Sequence, residues 1–207
     1  MPDKDWKQER WGQDWRIGDT INASIGQGYV LASPLQLAVM TARVATGRAV
    51  EPRLIKSIGG KPVEMPEPPM LDLDPASLRA VQAGMDAVMN SERGTAKSSR
   101  IADETMLMAG KTGTSQVRNI SAAERARGVT SNEDLPWNRR DHALFVGFAP
   151  LDAPRYAVAV VVEHGGGGST VAAPIARDAL LRTLTGDIPP LDAYPAAQRG
   201  RIETDLN

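Results

Sequence analysis

Five consecutive residues, Lys111-Thr112-Gly113-Thr114-Ser115, offer the chemistry around which the rest of this sequence can be read. The lysine supplies a compact cation, the hydroxyls can donate to an anion, and the glycine lets another backbone come close. An apolar run, Met106-Leu107-Met108-Ala109, leads in, and Gln116-Val117 leads out. That sequence of residues predicts a strand over Met106 to Val117 at the edge of a sheet facing a cleft. An exposed lysine on such a strand can also act simply to stop other strands from pairing with it. What surrounds the pentapeptide decides between the two.

Three other motifs come close to known chemistry and fail on inspection. Gly110-Lys111-Thr112 looks like the end of a phosphate-binding loop, but the leading glycine of that loop would fall on Thr105. Asn22-Ala23-Ser24-Ile25-Gly26 looks like a nucleophile elbow with asparagine in place of its first glycine and no strand before it. His164 with Gly165 to Gly168 looks like an esterase oxyanion loop, yet it lies after the supposed nucleophile. The glycine run is better read as a strand-to-helix turn. The chain has no cysteine and two histidines, His142 and His164, so neither a disulfide framework nor a metal site is expected, and no cofactor.

Composition narrows the classes further. Hydrophobic content of 42% and charged content of 24% are those of an ordinary globular protein. A formal net charge of -1 gives no electrostatic argument for nucleic acid or an anionic membrane. The longest dense apolar run, Tyr156 to Val162, falls far short of the roughly 20 residues that cross a bilayer. The polar start, Met1 to Arg10, predicts no signal peptide in this chain.

The elements that would position the pentapeptide follow from caps and periodicity. Gly18 to Asn22 reads as a turn, and Ile25-Gly26-Gln27-Gly28-Tyr29 as a glycine-bracketed bend. Ser33-Pro34 opens a helix whose apolar residues Leu35, Ala38, Val39, Ala42 and Ala45 recur at helical spacing until Gly47. Arg53 to Ile58 is expected as a strand, and Gly59 to Pro69, with four prolines, as an exposed loop. Asp74-Pro75 starts a second helix ending near Asn90. Ser121 to Glu124 is a capping box inside the polar segment Arg118 to Asp141. Ala143 to Ala149 and Arg155 to Glu163 form a hairpin, and Thr170 to Thr185 a helix capped by Gly186. Helices, three antiparallel strands and a terminal helix make an α+β fold, an antiparallel sheet packed by helices. One incomplete domain over residues 1–186 and a loose tail over 187–207 are expected.

Taken in order, Ile25 to Tyr29, Ser33 to Ala38, Lys111 to Val117, Asp141-His142 and Phe145 to Pro150 resemble the C-terminal half of the transpeptidase domain of class B penicillin-binding proteins, the branch serving cell elongation. The resemblance runs from about Trp6 to Gly186 and implies a serine β-lactamase-like fold. It implies a peptidoglycan D,D-transpeptidase in which a Ser-x-x-Lys serine attacks the D-alanyl-D-alanine carbonyl of a stem peptide. An amine of a second stem then resolves the acyl-enzyme, and β-lactams stall it. By motif position Lys111 would be catalytic, holding positive potential beside the nucleophile. Thr112 and Thr114 would bind the substrate carboxylate, Gly113 would admit the substrate backbone, and the Thr114 amide would serve the oxyanion hole. The resemblance further implies elongation-machinery membrane proteins as partners and the periplasmic face of the inner membrane as location. His142 reads first as a structural histidine at the cleft rim.

The other two family motifs are missing. No Ser-x-x-Lys occurs, and Ser131-Asn132 lacks the middle residue of Ser-x-Asn. The family places both upstream of the Gly-Gln-Gly bend, where this chain has only residues 1–25. A fragment that neither acylates nor cross-links by itself is therefore expected. The rivals are a non-catalytic remnant or binding module of the wall-synthesis machinery and, sharing the Lys-Thr-Gly strand, a serine β-lactamase. A sheet short of strands would also expose an apolar face and predicts poor solubility.

Overall fold

The computed structural model describes residues 2–206, which divide into two compact units, one up to Ser33 and one from Pro34 onward. In the first, α1 (Lys4–Trp11) is capped by Asp3, whose carboxylate accepts the Trp6 N–H. The residues expected as a turn instead open α2 (Ile17–Ser24). Asp19 accepts the Arg16 N–H at 2.7 Å and takes the Lys7 ammonium at 2.6 Å, which nucleates the helix and ties it to α1. Lys7 also lies over the Tyr29 ring, against which Trp6 packs at 5.4 Å. The Gly26-Gln27-Gly28 bend that precedes Tyr29 turns with positive φ at both glycines.

The second unit begins with α3 (Pro34–Thr46), ending before Gly47 as the spacing predicts. The strand expected over Arg53 to Ile58 is not there. Pairing is limited to β1 (Ser57–Ile58) and β2 (Lys61–Pro62), and Leu54 and Ile55 face solvent. β-branched and aliphatic residues make a strand only where a partner and a buried face exist; among the described residues Arg53 to Lys56 pair with no strand, and the whole stretch is exposed. α4 (Pro75–Asn90) starts where Asp74 accepts the Ala76 and Ser77 N–H groups. β3 (Ala109–Ser115) is shorter than the expected Met106 to Val117. A 3-10 turn over Glu104–Met106, capped by Asp103, takes up its start, and its end is set by the partner strand. α5 (Ala122–Arg127) carries the expected Ser121 cap to the Glu124 N–H.

β4 (His142–Ala149) and β5 (Tyr156–Val162) form the hairpin, and the sheet order β3-β4-β5 is antiparallel throughout. A turn of π-helix over Gly168–Ala172 leads into α6 (Ala173–Thr185), ended by Gly186. The segment expected as a loose tail is folded: α7 (Ala196–Leu206) follows a 3-10 turn at Leu191–Ala193. Ala193, Tyr194 and Ile202 are buried in the core with Leu180 and Leu181 of α6. Arg177, 1% exposed, holds this segment with a bond to the Gln198 side chain and a stacking distance of 4.8 Å over Tyr194. The polar composition that suggested disorder is in fact the hydrogen-bonding half of that contact.

Helices cover both faces of the sheet. Phe145, Ala143 and Ala149 join Met89, Ile101, Met108 and the α6 residues in the larger cluster. Phe148 and Ala109 pack with Ala45 of α3 and Met85 of α4 in the smaller. The Phe145 ring lies flat along its own sheet because its neighbours are glycines. A Cβ on Gly110 would sit 2.2 Å from Phe145 Cζ, and one on Gly147 would sit 2.7 Å from Cε1.

Candidate active site

Lys111, Thr112, Gly113 and Thr114 all lie in β3, as expected, and β3 is an outer strand: among the described residues no strand pairs on its far side. Register fixes which way each side chain points. Thr112 and Thr114 pair with Phe145 and Ala143, and Lys111, Gly113 and Ser115 pair with Val146, Leu144 and His142. Since side chains alternate across a strand, the two threonines share one face and the lysine belongs to the other. What all four share is the open edge, where Lys111 and Thr114 are exposed and Thr112 and Gly113 half-buried. Lys111 Nζ folds back onto the Thr112 carbonyl at 2.7 Å, so its charge sits at the strand's own backbone.

The connection from β3 to β4 builds a rim beside the end of this strand. Arg118 makes a two-pronged bond to Glu124, 2.7 and 2.8 Å, with both side chains largely out of solvent. The guanidinium, helped by the Thr130 N–H, holds the Glu124 carboxyl down at about 2, while the pair raises Arg118. Asn132 Oδ1 accepts the Asp141 N–H at 2.9 Å, and Ser131 Oγ bonds Asp134. The Ser131-Asn132 pair that looked like a spoiled motif is thus a tie within the rim. Gly166 N–H in turn donates to Asp141 O, joining the rim to the glycine run.

Two features here were not foreseen. His164 contacts His142, with ring centres 4.6 Å apart, and Trp137 packs edge-on against His164 at 4.4 Å. Only the glycine run after His164 hinted at an unusual backbone, and the partner 22 positions earlier could be found only through the strand register. Elsewhere, a groove of about 550 Å³ lined by Leu35, Val39, Met40, Val44, Leu71 and Leu73 includes none of the four site residues.

Residues 2–181 match the family model described as the penicillin binding protein transpeptidase domain. The chain is 38% identical over 200 residues to the peptidoglycan D,D-transpeptidase MrdA of Haemophilus influenzae, covering 94% of this chain and 30% of that protein. It is 34% identical over 193 residues to MrdA of Escherichia coli, covering 90% and 30%. Among solved structures, Pseudomonas aeruginosa PBP2 in complex with WCK 5153 superposes with a TM-score of 0.70 at 41% identity, over 94% of this chain and 41% of that one. Helicobacter pylori PBP2, solved in complex with MreC, gives a TM-score of 0.70 at 35% identity over 89% and 30%. The chain spans about 30% of the length of the curated relatives it matches.

Proposed function

Since the chain belongs to the penicillin binding protein transpeptidase domain family, we propose that its β3 strand is one wall of a peptidoglycan D,D-transpeptidase cleft whose attacking serine lies outside these 207 residues. The observation that carries this reading is the outer strand with Lys111 and Thr114 exposed along an edge that no other strand occupies. An extended peptide laid on such an edge gains main-chain hydrogen bonds, and Thr112 and Thr114, on one face, present two hydroxyls to its terminal carboxylate. The serine oxygen attacks the penultimate D-alanine carbonyl and the bond to the terminal D-alanine nitrogen breaks. The serine proton leaves with the free D-alanine. An amine of a second stem then attacks the ester, the carbonyl–oxygen bond breaks, and the serine is restored with its proton as the cross-link forms.

Lys111, close to the strand backbone, supplies the positive potential that favours the charge developing during both steps. The Thr114 amide is the oxyanion donor of the proposed site. β-Lactams occupy the donor stem's place. The similarity to an H. pylori protein solved with MreC supports a parent protein that works with a membrane partner of wall elongation, on the periplasmic face of the inner membrane. Among the described residues no helix is long and apolar enough to cross a membrane.

The test is a hybrid protein in which this chain replaces the matching part of P. aeruginosa PBP2. A fluorescent penicillin should label the hybrid covalently and leave the isolated chain unlabelled. Lys111→Ala should slow labelling by about 100-fold, the scale of a lost transition-state contact. A folded hybrid that takes no label favours the non-catalytic reading, and a labelled isolated chain contradicts the placement of the serine.

A further inference from the structure

Resting on the active-site reading above, we propose that His142 and His164 form a positioning pair that sets where the glycine run lies against the Lys-Thr-Gly strand. The run Gly165 to Gly168 is fixed at both ends. At its start, the His164 N–H donates to His142 Nδ1 at 2.8 Å, which requires the His142 proton to be on Nε2. His164 Nδ1 lies 2.8 Å from the Arg140 carbonyl, an acceptor only, so that nitrogen carries a proton and donates. The two imidazoles and Trp137 stack edge to face, and the Gly166 N–H donates to Asp141 O at 2.9 Å.

At its other end, the run lies directly on the site. A Cβ on Gly168 would sit 2.3 Å from the Leu144 carbonyl oxygen, 2.5 Å from that of Gly113 and 3.0 Å from the Gly113 nitrogen. The absence of a side chain at Gly168 therefore lets the turn press on the backbone of the glycine that the substrate would also approach. His142 reaches the same strand a second way, since it pairs with Ser115, one residue past Thr114. A displacement of His142 moves both the support beneath Gly113 and the end of β3.

The backbone at His164 argues that the ring is needed there. It is the single non-glycine with positive φ among the described residues, at 55°, beside a run of four glycines where glycine would be relaxed. Its hydrogen bond and ring contacts offset that strain. Nothing places either imidazole on the reacting carbonyl, so their role is to hold others.

Hydrogen exchange on the 207-residue chain tests the pair directly. His142→Ala should speed exchange about tenfold both over 164–168 and over 113–115. His142→Asn, whose side-chain oxygen can accept the same N–H, should return both stretches close to the original rates. Exchange unchanged by His142→Ala, or equally fast with Asn and Ala, overturns the proposal. In the hybrid, His142→Ala should lower the second-order labelling constant about tenfold, and His142→Asn should recover most of it. A hybrid that is never labelled sinks the active-site reading, while the exchange result still decides the pair.

Discussion

At the scale of residues, the two threonines and the lysine of the motif face opposite ways, and the proposed function gives them different work. Thr112 and Thr114 share the face of Phe145 and Ala143, whereas Lys111 is paired with Val146. If the proposed function holds, replacing Thr114 by Val, which removes a hydroxyl from an exposed position, should weaken carboxylate recognition and raise KM for penicillin or stem peptide in the hybrid while the fold persists. Melting temperature measured alongside labelling separates the two effects. The Arg118–Glu124 pair predicts a pH response in the rim. The Glu124 carboxyl, held at about 2, lies below the ordinary carboxylate range, so the pair's stabilisation is complete above roughly pH 5 and is lost as pH falls through the ordinary carboxylate range towards 2. Protection against hydrogen exchange over 118–130, corrected for the intrinsic rate at each pH, should therefore fall at acid pH, and Glu124→Gln should show the weaker protection already at neutral pH. No difference between the two proteins at neutral pH would remove Glu124 from this role.

At the scale of elements, the sheet depends on one ring lying over two glycines. Phe145→Ala should destabilise the second unit by about 3–5 kcal/mol, read from urea unfolding, because a fully buried ring leaves a cavity between sheet and α6. The last element carries a similar test. Gln198→Ala leaves the buried Arg177 with one partner fewer and should cost about 1–3 kcal/mol. The helices α3 and α4, the Ser121 cap and the β4–β5 hairpin were legible in the sequence because caps and periodicity are local. The helix at Ile17–Ser24 was not, since Lys7 and the Arg16 N–H stabilise it through Asp19. Nor was the packing of α7, which rests on Arg177 reaching Gln198. The histidine pair was hidden for the same reason: register, not spacing, brings His142 to His164.

At the scale of the whole chain, both sheet edges lack a strand partner among the described residues, and Tyr156 and Val161 are partly exposed on β5. Ile17, Ile21, Ile25 and Leu31 of the first unit are exposed as well. Unpaired edges and open apolar surface favour association. The isolated chain should therefore elute from size-exclusion chromatography as concentration-dependent oligomers, and Val161→Lys should shift it towards monomer. A monomer at all concentrations would show that these surfaces do not drive contact. The central claim concerns β3 as the wall of an acylation cleft. Its most direct test is a crystal structure of the hybrid acylated by a penicillin. The account predicts the drug carboxylate within about 3.2 Å of the Thr112 and Thr114 hydroxyls, and the acyl oxygen on the Thr114 amide. A carboxylate bound elsewhere, with β3 untouched, would contradict it.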